Sequence, residues 1–237
     1  MNESEKQIIL EKAKQFFRDK IVENHKRNTL KLKKLSAFQP NPFLDKYLAN
    51  FAYGSSTPKD IAKVLIYPRV LGTSINTTFG TQLQSFCSDV LSGYASLVSG
   101  IDIEFEDQLD GRRKYCQIKA GPNTINKDDI KTIKDHFIGI KNLAKTNRIK
   151  DFNAGTDCIV GVFYGRNSDL SSSYRTINKD FPVYVGKEFW LRLTGDENFY
   201  FELINTFAEV ADDINGTDFL EETLTSLADD IAGNYNA

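Results

Sequence analysis

The sequence predicts an α/β fold: a mixed central sheet flanked by helices, with a helical extension at the N-terminus and an acidic helical segment at the C-terminus. Three observations point to it. The stretch GIDIEFEDQLDGRRKYCQIKAG (100–121) alternates apolar and polar residues on both sides of an Asp-Gly pair, the pattern of a β-hairpin. Two compact runs, CIVGVFYG (158–165) and PVYV (182–185), read as strands, the first apolar on both faces as a central strand is. Around and between them, apolar residues recur at helical spacing.

Taken in order, residues 3–35 read as helix, because Ile8, Ile9, Ala13, Phe16, Phe17 and Ile21 recur at helical spacing among many Lys and Glu. Asn41-Pro42 marks a break, after which a short helix covers Phe43 to Ala52. Gly54 to Thr57 form a loop. Thr57 is an N-cap candidate, with Pro58 at the first helical position and Asp60 three residues after the cap. That helix runs to about Leu71. The next, Phe79 to Leu91, buries Leu83, Phe86, Cys87, Val90 and Leu91. Thr124 to Asn147 is amphipathic, with Ile125, Ile130, Ile133, Phe137, Ile140 and Leu143 facing inward, and Asn123 or Thr124 is its candidate cap. PVYV leads into a helix whose Phe189 and Trp190 belong in the core. Two more helices fill the tail, separated near Asn215-Gly216. The expected division is three regions: 1–56, 57–192 and 193–237.

The composition is that of an ordinary globular protein of 237 residues, 41% hydrophobic and 26% charged. Every long apolar-rich window is broken by charges, so no membrane span is expected, and MNESEKQ has no signal-peptide pattern. Cys87, Cys116 and Cys158, an odd number in apolar surroundings, read as buried thiols of a cytoplasmic protein, not as a disulfide framework or zinc site. The net charge of -2 hides an asymmetry. Residues 193–237 hold eleven Asp or Glu and no Lys or Arg, which leaves +9 on the rest. A basic body suits a polyanionic partner; the alternative is a tail that is simply a solvated helix pair.

The hairpin carries the chemistry. If Asp110-Gly111 is a two-residue turn, Asp102 lies opposite Lys119, Glu104 opposite Gln117 and Glu106 opposite Tyr115. Cys116, Ile118 and Ala120 then share the core face with Ile101, Ile103 and Phe105. Carboxylates in a row repel, so the face expects a neutralising cation. Magnesium takes one or two carboxylates, keeps several waters and accepts substrate phosphates, and an adjacent lysine can orient the attacking water. The plainer alternative is an Asp102–Lys119 ion pair on a solvated sheet face.

These residues resemble a known pattern. Asp102, a short hairpin and Gln117-Ile118-Lys119 are similar to the D…(D/E)xK signature of the PD-(D/E)XK nuclease superfamily. NPF (41–43), YPRVLG (67–72), GID (100–102), QIKAGPNTIN (117–126), IVGVFYG (159–165) and VYVGKEFW (183–190) resemble, in order, one group of type II restriction endonucleases, that which cuts RGGNCCY and related GGNCC-type sites. The resemblance implies a restriction-endonuclease-like sheet and a homodimer that hydrolyses double-stranded DNA at a palindrome. It also implies Mg2+, with Mn2+ able to substitute, and a companion DNA methyltransferase. Residues 57–192 become the nuclease core, with 1–56 for dimerisation or embracing DNA and 193–237 packed on the core. Carried over, Asp102 is the metal-binding Asp and Lys119 the catalytic Lys, with the Ile118 carbonyl as a further ligand. Gln117 departs from the pattern, which has Glu or Asp there; Gln117 or Glu104 would assist, Glu104 restoring the missing charge. Gln82, Gln84 and Asp89, on the preceding helix, make no convincing further acid.

For DNA contacts the sequence offers Asn123, Thr124 and Lys127, where backbone amides at a helix start could hold a phosphate. Tyr164 and Arg166 follow the central strand and Arg175 lies beyond, and an Arg there could grip guanine or only phosphate. Arg69 reads as a folding residue. Arg112, Arg113 and His136 read as solvated surface. Besides restriction, Gln117 leaves open a nuclease for modified or branched DNA, or a DNA-binding protein with a nuclease fold and impaired catalysis.

Overall fold

The structure, a computed structural model, describes residues 2–211, 214 and 216–234, and the chain divides into two compact units. One comprises residues 1–16 and 82–207, the other residues 17–81 and 208–237. In chain order, α1 (Glu3–Phe16) is followed by a π-helical stretch (Phe17–Val22), α2 (Glu23–Leu30), a 3-10 turn (Leu35–Ala37), α3 (Pro42–Tyr53) and α4 (Pro58–Pro68). A second π-helical stretch (Arg69–Ser74) precedes α5 (Ile75–Asp89). Then come β1 (Ile103–Glu106), β2 (Arg113–Lys119), α6 (Lys127–Thr146), α7 (Ala154–Asp157), β3 (Cys158–Val162) and α8 (Ser172–Ile177). The chain continues through β4 (Val183–Val185), α9 (Lys187–Thr194), α10 (Phe199–Glu209) and α11 (Gly216–Asn234). The expected break near Asn215 lies outside the described residues.

In the unit of residues 17–81 and 208–237, local sequence sets the helix starts. The Asn41 side chain accepts from the amides of Phe43 (3.2 Å) and Leu44 (3.4 Å), which starts α3 one residue before the expected Phe43. Thr57 caps α4 by accepting from the Asp60 amide at 3.3 Å, with Pro58 first in the helix. Pro68 has no N–H to continue the ladder, so the chain passes into a π-helical turn, and Nε2 of His25 meets the Val70 carbonyl at 2.9 Å. Arg69 donates to the Ala37 carbonyl and lies over the Phe38 ring, a folding role. α11 returns onto α4: Leu224, Leu227 and Ile231 bury with Ile61, Ala62 and Ile66. The two compact units join at 16/17, 81/82 and 207/208.

In the other unit the sheet order is β1-β2-β3-β4, with β1 antiparallel to β2 and the remaining pairs parallel. Both faces are covered. On one, Val160, Val162, Val183 and Val185 pack against Ile133, Phe137 and Ile140 of α6 and Tyr174 and Ile177 of α8. On the other, the Trp190 ring of α9 meets Phe163 at 4.9 Å and its Nε1 donates to the Phe163 carbonyl at 3.0 Å, while Phe86 of α5 reaches Phe163 at 5.3 Å. Phe189 and Trp190 are core, as expected, and the three cysteines are free and buried.

The hairpin register differs from the expectation by two residues. Ile103 pairs with Cys116, Glu104 with Tyr115 and Glu106 with Arg113. The connection is a four-residue loop, Gln108 to Gly111, closed where the Asp107 amide donates to the Arg112 carbonyl (2.9 Å). The Asp107 carboxylate accepts from the Leu109 amide (2.9 Å) and starts the turn early; Gly111, at φ +66°, closes it. A shift of two keeps each side chain on its face but changes its partner. The face of Tyr115, Gln117 and Lys119 is also not a solvated surface: these residues pair with Cys158, Val160 and Val162, beneath α6.

Candidate active site

Asp102 lies just ahead of β1. Its amide donates to the Cys116 carbonyl (3.0 Å) and its carboxylate accepts from the Ile118 amide (2.7 Å), so it sits against residues 116–118 instead of opposite Lys119. Lys119 ends β2, and its carbonyl accepts from the Phe163 amide (2.8 Å) on the β3 side. Backbone groups alternate along a strand, so the carbonyl of Ile118 points toward the β1 side, where Asp102 is. Burial pushes the Asp102 carboxyl above its ordinary range, opposed by the Ile118 hydrogen bond and by Lys119 and His136 nearby. An acid held this way gains from a cation beside it.

Gln117 is buried, 4% exposed. Its Nε2 donates to the Gly100 carbonyl and lies 2.6 Å from Nδ1 of His136 on α6. His136, expected on the surface, thus reaches Gln117 of β2 and packs against Gly100. The available signal was its spacing, three residues after Ile133 and four before Ile140 on the buried stripe of α6. Glu104 is elsewhere committed: it accepts from the Arg113 guanidinium (3.0 and 2.7 Å) and from the Ser96 hydroxyl (2.6 Å). Arg113 is therefore not simply solvated, and neither is Arg112, which grips Asp157 with two nitrogens (2.6 and 2.7 Å). On α5, Asp89 is exposed and meets the Ser88 hydroxyl.

With these positions in place, the comparison with known families is decisive. The family described as type II restriction endonuclease EcoO109I matches residues 3–215. The chain belongs to this family of restriction endonucleases. No curated protein matches the chain. Membership makes DNA the substrate, and type II restriction endonucleases generally use divalent metal ions.

The donor set of this endonuclease fits such an ion in a particular way. Among the described residues no group of three His, Cys, Asp or Glu could hold a metal. Asp102, the Ile118 carbonyl and the Gln117 amide oxygen offer one charge and two neutral oxygens, which suits a hard cation that keeps waters and takes substrate phosphate to complete its shell.

Of the residues expected at DNA, Asn123 and Thr124 lie on the loop after β2, Tyr164 and Arg166 on the loop after β3, Lys127 at the start of α6 and Arg175 in α8, and the two loops pack together. The Tyr164 ring lies against Gly121, and the Tyr174 hydroxyl donates to the Gly121 carbonyl (3.0 Å). Asn123, Lys127, Tyr164 and Arg166 are exposed there. Thr124 is held by the Gly121 carbonyl (2.9 Å). The cap of α6 is neither Asn123 nor Thr124 but Asn126, which accepts from the amides of Asp128 and Asp129 while Asp129 accepts from the Asn126 amide. Two acids in the first turn make that helix start a poor phosphate cradle. Arg175 donates to the carbonyls of Leu170 (3.0 Å) and Ser168 (3.3 Å) and so braces the loop.

Proposed function

We propose that this endonuclease cuts double-stranded DNA at a short palindrome and depends on Mg2+, with Mn2+ able to substitute. The observation that carries the reading is the Asp102 carboxylate, raised by burial and fixed to the Ile118 amide beside Lys119. Asp102, the Ile118 carbonyl and Gln117 would hold the cation, which when bound would polarise the scissile phosphate and make water a better nucleophile. Lys119 orients the attacking water by hydrogen bonding and stabilises charge that develops on the phosphoryl oxygens. Glu104 supports the site from one remove, by fixing Arg113 and Ser96. Tyr164, Arg166, Asn123 and Lys127 meet the DNA, Arg166 being the candidate base reader; Thr124 and Arg175 shape that surface. A companion methyltransferase protects host DNA in the cytoplasm.

Cutting both strands of a palindrome calls for two sites related by a twofold axis. The face of α3 suits this homodimer. Phe43 is 90% exposed and Phe51 77%, beside exposed Leu44, Tyr47 and Leu48. At roughly 150–250 Å² per aromatic side chain, the face offers several hundred Å², a large part of the ~800 Å² per partner of a standard interface.

The test is purified protein on unmethylated phage DNA, in Mg2+ and in EDTA, beside Lys119→Ala. Discrete bands, absent in EDTA and reduced about 10²–10³-fold or more in the variant, are expected. Gln117 favours a second reading, a nuclease for modified or branched DNA; cleavage confined to such substrates would establish it. DNA bound but uncut in Mg2+ and Mn2+ would instead point to impaired catalysis.

A further inference from the structure

Position 117 is where the superfamily pattern has an acid, and its surroundings bear on why this chain has an amide. The Gly100 carbonyl can only accept, so the atom facing it is the Gln117 nitrogen. The same nitrogen lies 2.6 Å from His136 Nδ1. An amide NH2 has two protons and here meets two acceptors, which places any proton of a neutral His136 on Nε2.

The acceptor pair is built into the fold. Gly100 is at φ +81°, a conformation that side chains disfavour, and this sets the direction of its carbonyl. The His136 ring lies flat against it: a Cβ at Gly100 would sit 2.5 Å from the ring Cγ. Ile133 and Phe137, both buried, fix the part of α6 that carries the ring. Glycine, histidine and amide are thus mutually dependent.

We propose that Gly100 and His136 select an amide at residue 117, and that His136 is a positioning residue which turns the Gln117 oxygen toward the cation site as a neutral ligand. This rests on the metal-dependent nuclease reading. The site is then adapted to glutamine and is not a site that has lost its acid. A glutamate at 117 would set a carboxylate oxygen against the Gly100 carbonyl, acceptor against acceptor, with 4% exposure to water.

Three variants test this. His136→Phe keeps the ring over Gly100 and removes the acceptor; His136→Asn shortens the side chain and restores an acceptor; Gln117→Glu installs the pattern's acid. Mn2+ binding, followed by electron paramagnetic resonance on the full chain with a phage DNA fragment, should weaken about tenfold or more in His136→Phe and recover at least partly in His136→Asn. Gln117→Glu should lower the melting temperature by about 5 °C or more and fail to raise cleavage. In the wild type, 15N spectra should show His136 Nδ1 unprotonated and coupled to a hydrogen-bonded Gln117 amide, a readout that needs neither metal nor activity.

Gln117→Glu with undiminished stability and faster cleavage, or His136→Phe with wild-type Mn2+ affinity, overturns the proposal. Wild-type protein that leaves all DNA intact while its spectra show the pinned amide overturns the nuclease reading, and with it the ligand role given to Gln117, but not the selection of an amide. Wild-type cleavage with an unaffected His136→Phe does the reverse.

Discussion

Asp60 shows how a single side chain sets a pH dependence. The hydroxyls of Ser55 and Thr57 donate to its carboxylate, Lys63 lies 3.4 Å away, and together they hold its carboxyl at about 2, below the ordinary 3.8. A depressed carboxyl stabilises the fold above its unfolded pKa and loses that contribution as pH falls through the folded one. Asp60→Asn should therefore lower the melting temperature at pH 7, and the gap to wild type should close between pH 4 and 2; circular-dichroism melts across pH would check it. Burial acts in the opposite direction on thiols, pushing Cys87 and Cys158 up to about 12. Iodoacetamide at pH 8 should leave both unlabelled in native protein and modify them on unfolding, as read by mass spectrometry. The Thr57 cap and the buried cysteines were legible in sequence because each depends on near neighbours. His136 was not: its partners Gly100 and Gln117 are 36 and 19 residues away.

At the scale of elements, the hairpin is held by a buried charge cluster. Asp107 and Lys114 are both fully buried; Asp107 accepts from Arg192 of α9 at 2.9 Å, and Lys114 meets Asp110 at 2.6 Å. Removing Asp107 leaves Arg192 without its close buried counter-charge and strips one of two carboxylates from the buried Lys114. Asp107→Ala should cost about 3–5 kcal/mol in urea unfolding, with cleavage retained below the new melting point. For α3, Phe43→Glu with Phe51→Glu should convert a dimer to a monomer in analytical ultracentrifugation; a variant that sediments as wild type would remove this face from the interface. Alternation and the Asp-Gly pair announced a hairpin, yet the register followed Asp107, whose side chain began the turn early. Loop length is decided by such contacts and not by the dipeptide alone.

For the whole molecule, the charge asymmetry takes on a structural meaning. Acids of the C-terminal region pair with N-terminal lysines: within one unit Asp196 and Glu202 with Lys6, within the other Glu221 with Lys59 and Glu222 with Lys33. The exposed pairs at Lys33 and Lys59 contribute little to stability, whereas Lys6 is buried; all three lysines are taken away from a DNA-facing role. Apolar burial does more. Leu227 of α11 is fully buried against the α4 cluster, so Leu227→Ala should cost about 2–5 kcal/mol by urea unfolding.

By itself the sequence determined the fold class, the helix start at Thr57 with Pro58 behind it, the hairpin, two further strands and the resemblance to a nuclease. These rest on periodicity and local hydrogen bonds, which neighbouring residues fix between them. Tertiary structure alone decided the register, the commitment of Glu104 to Arg113, the return of α11 onto α4 and the enclosure of Gln117 by Gly100 and His136. Each depends on which distant segments meet. That choice is made by packing the whole core at once, and a pattern read along the chain does not contain it.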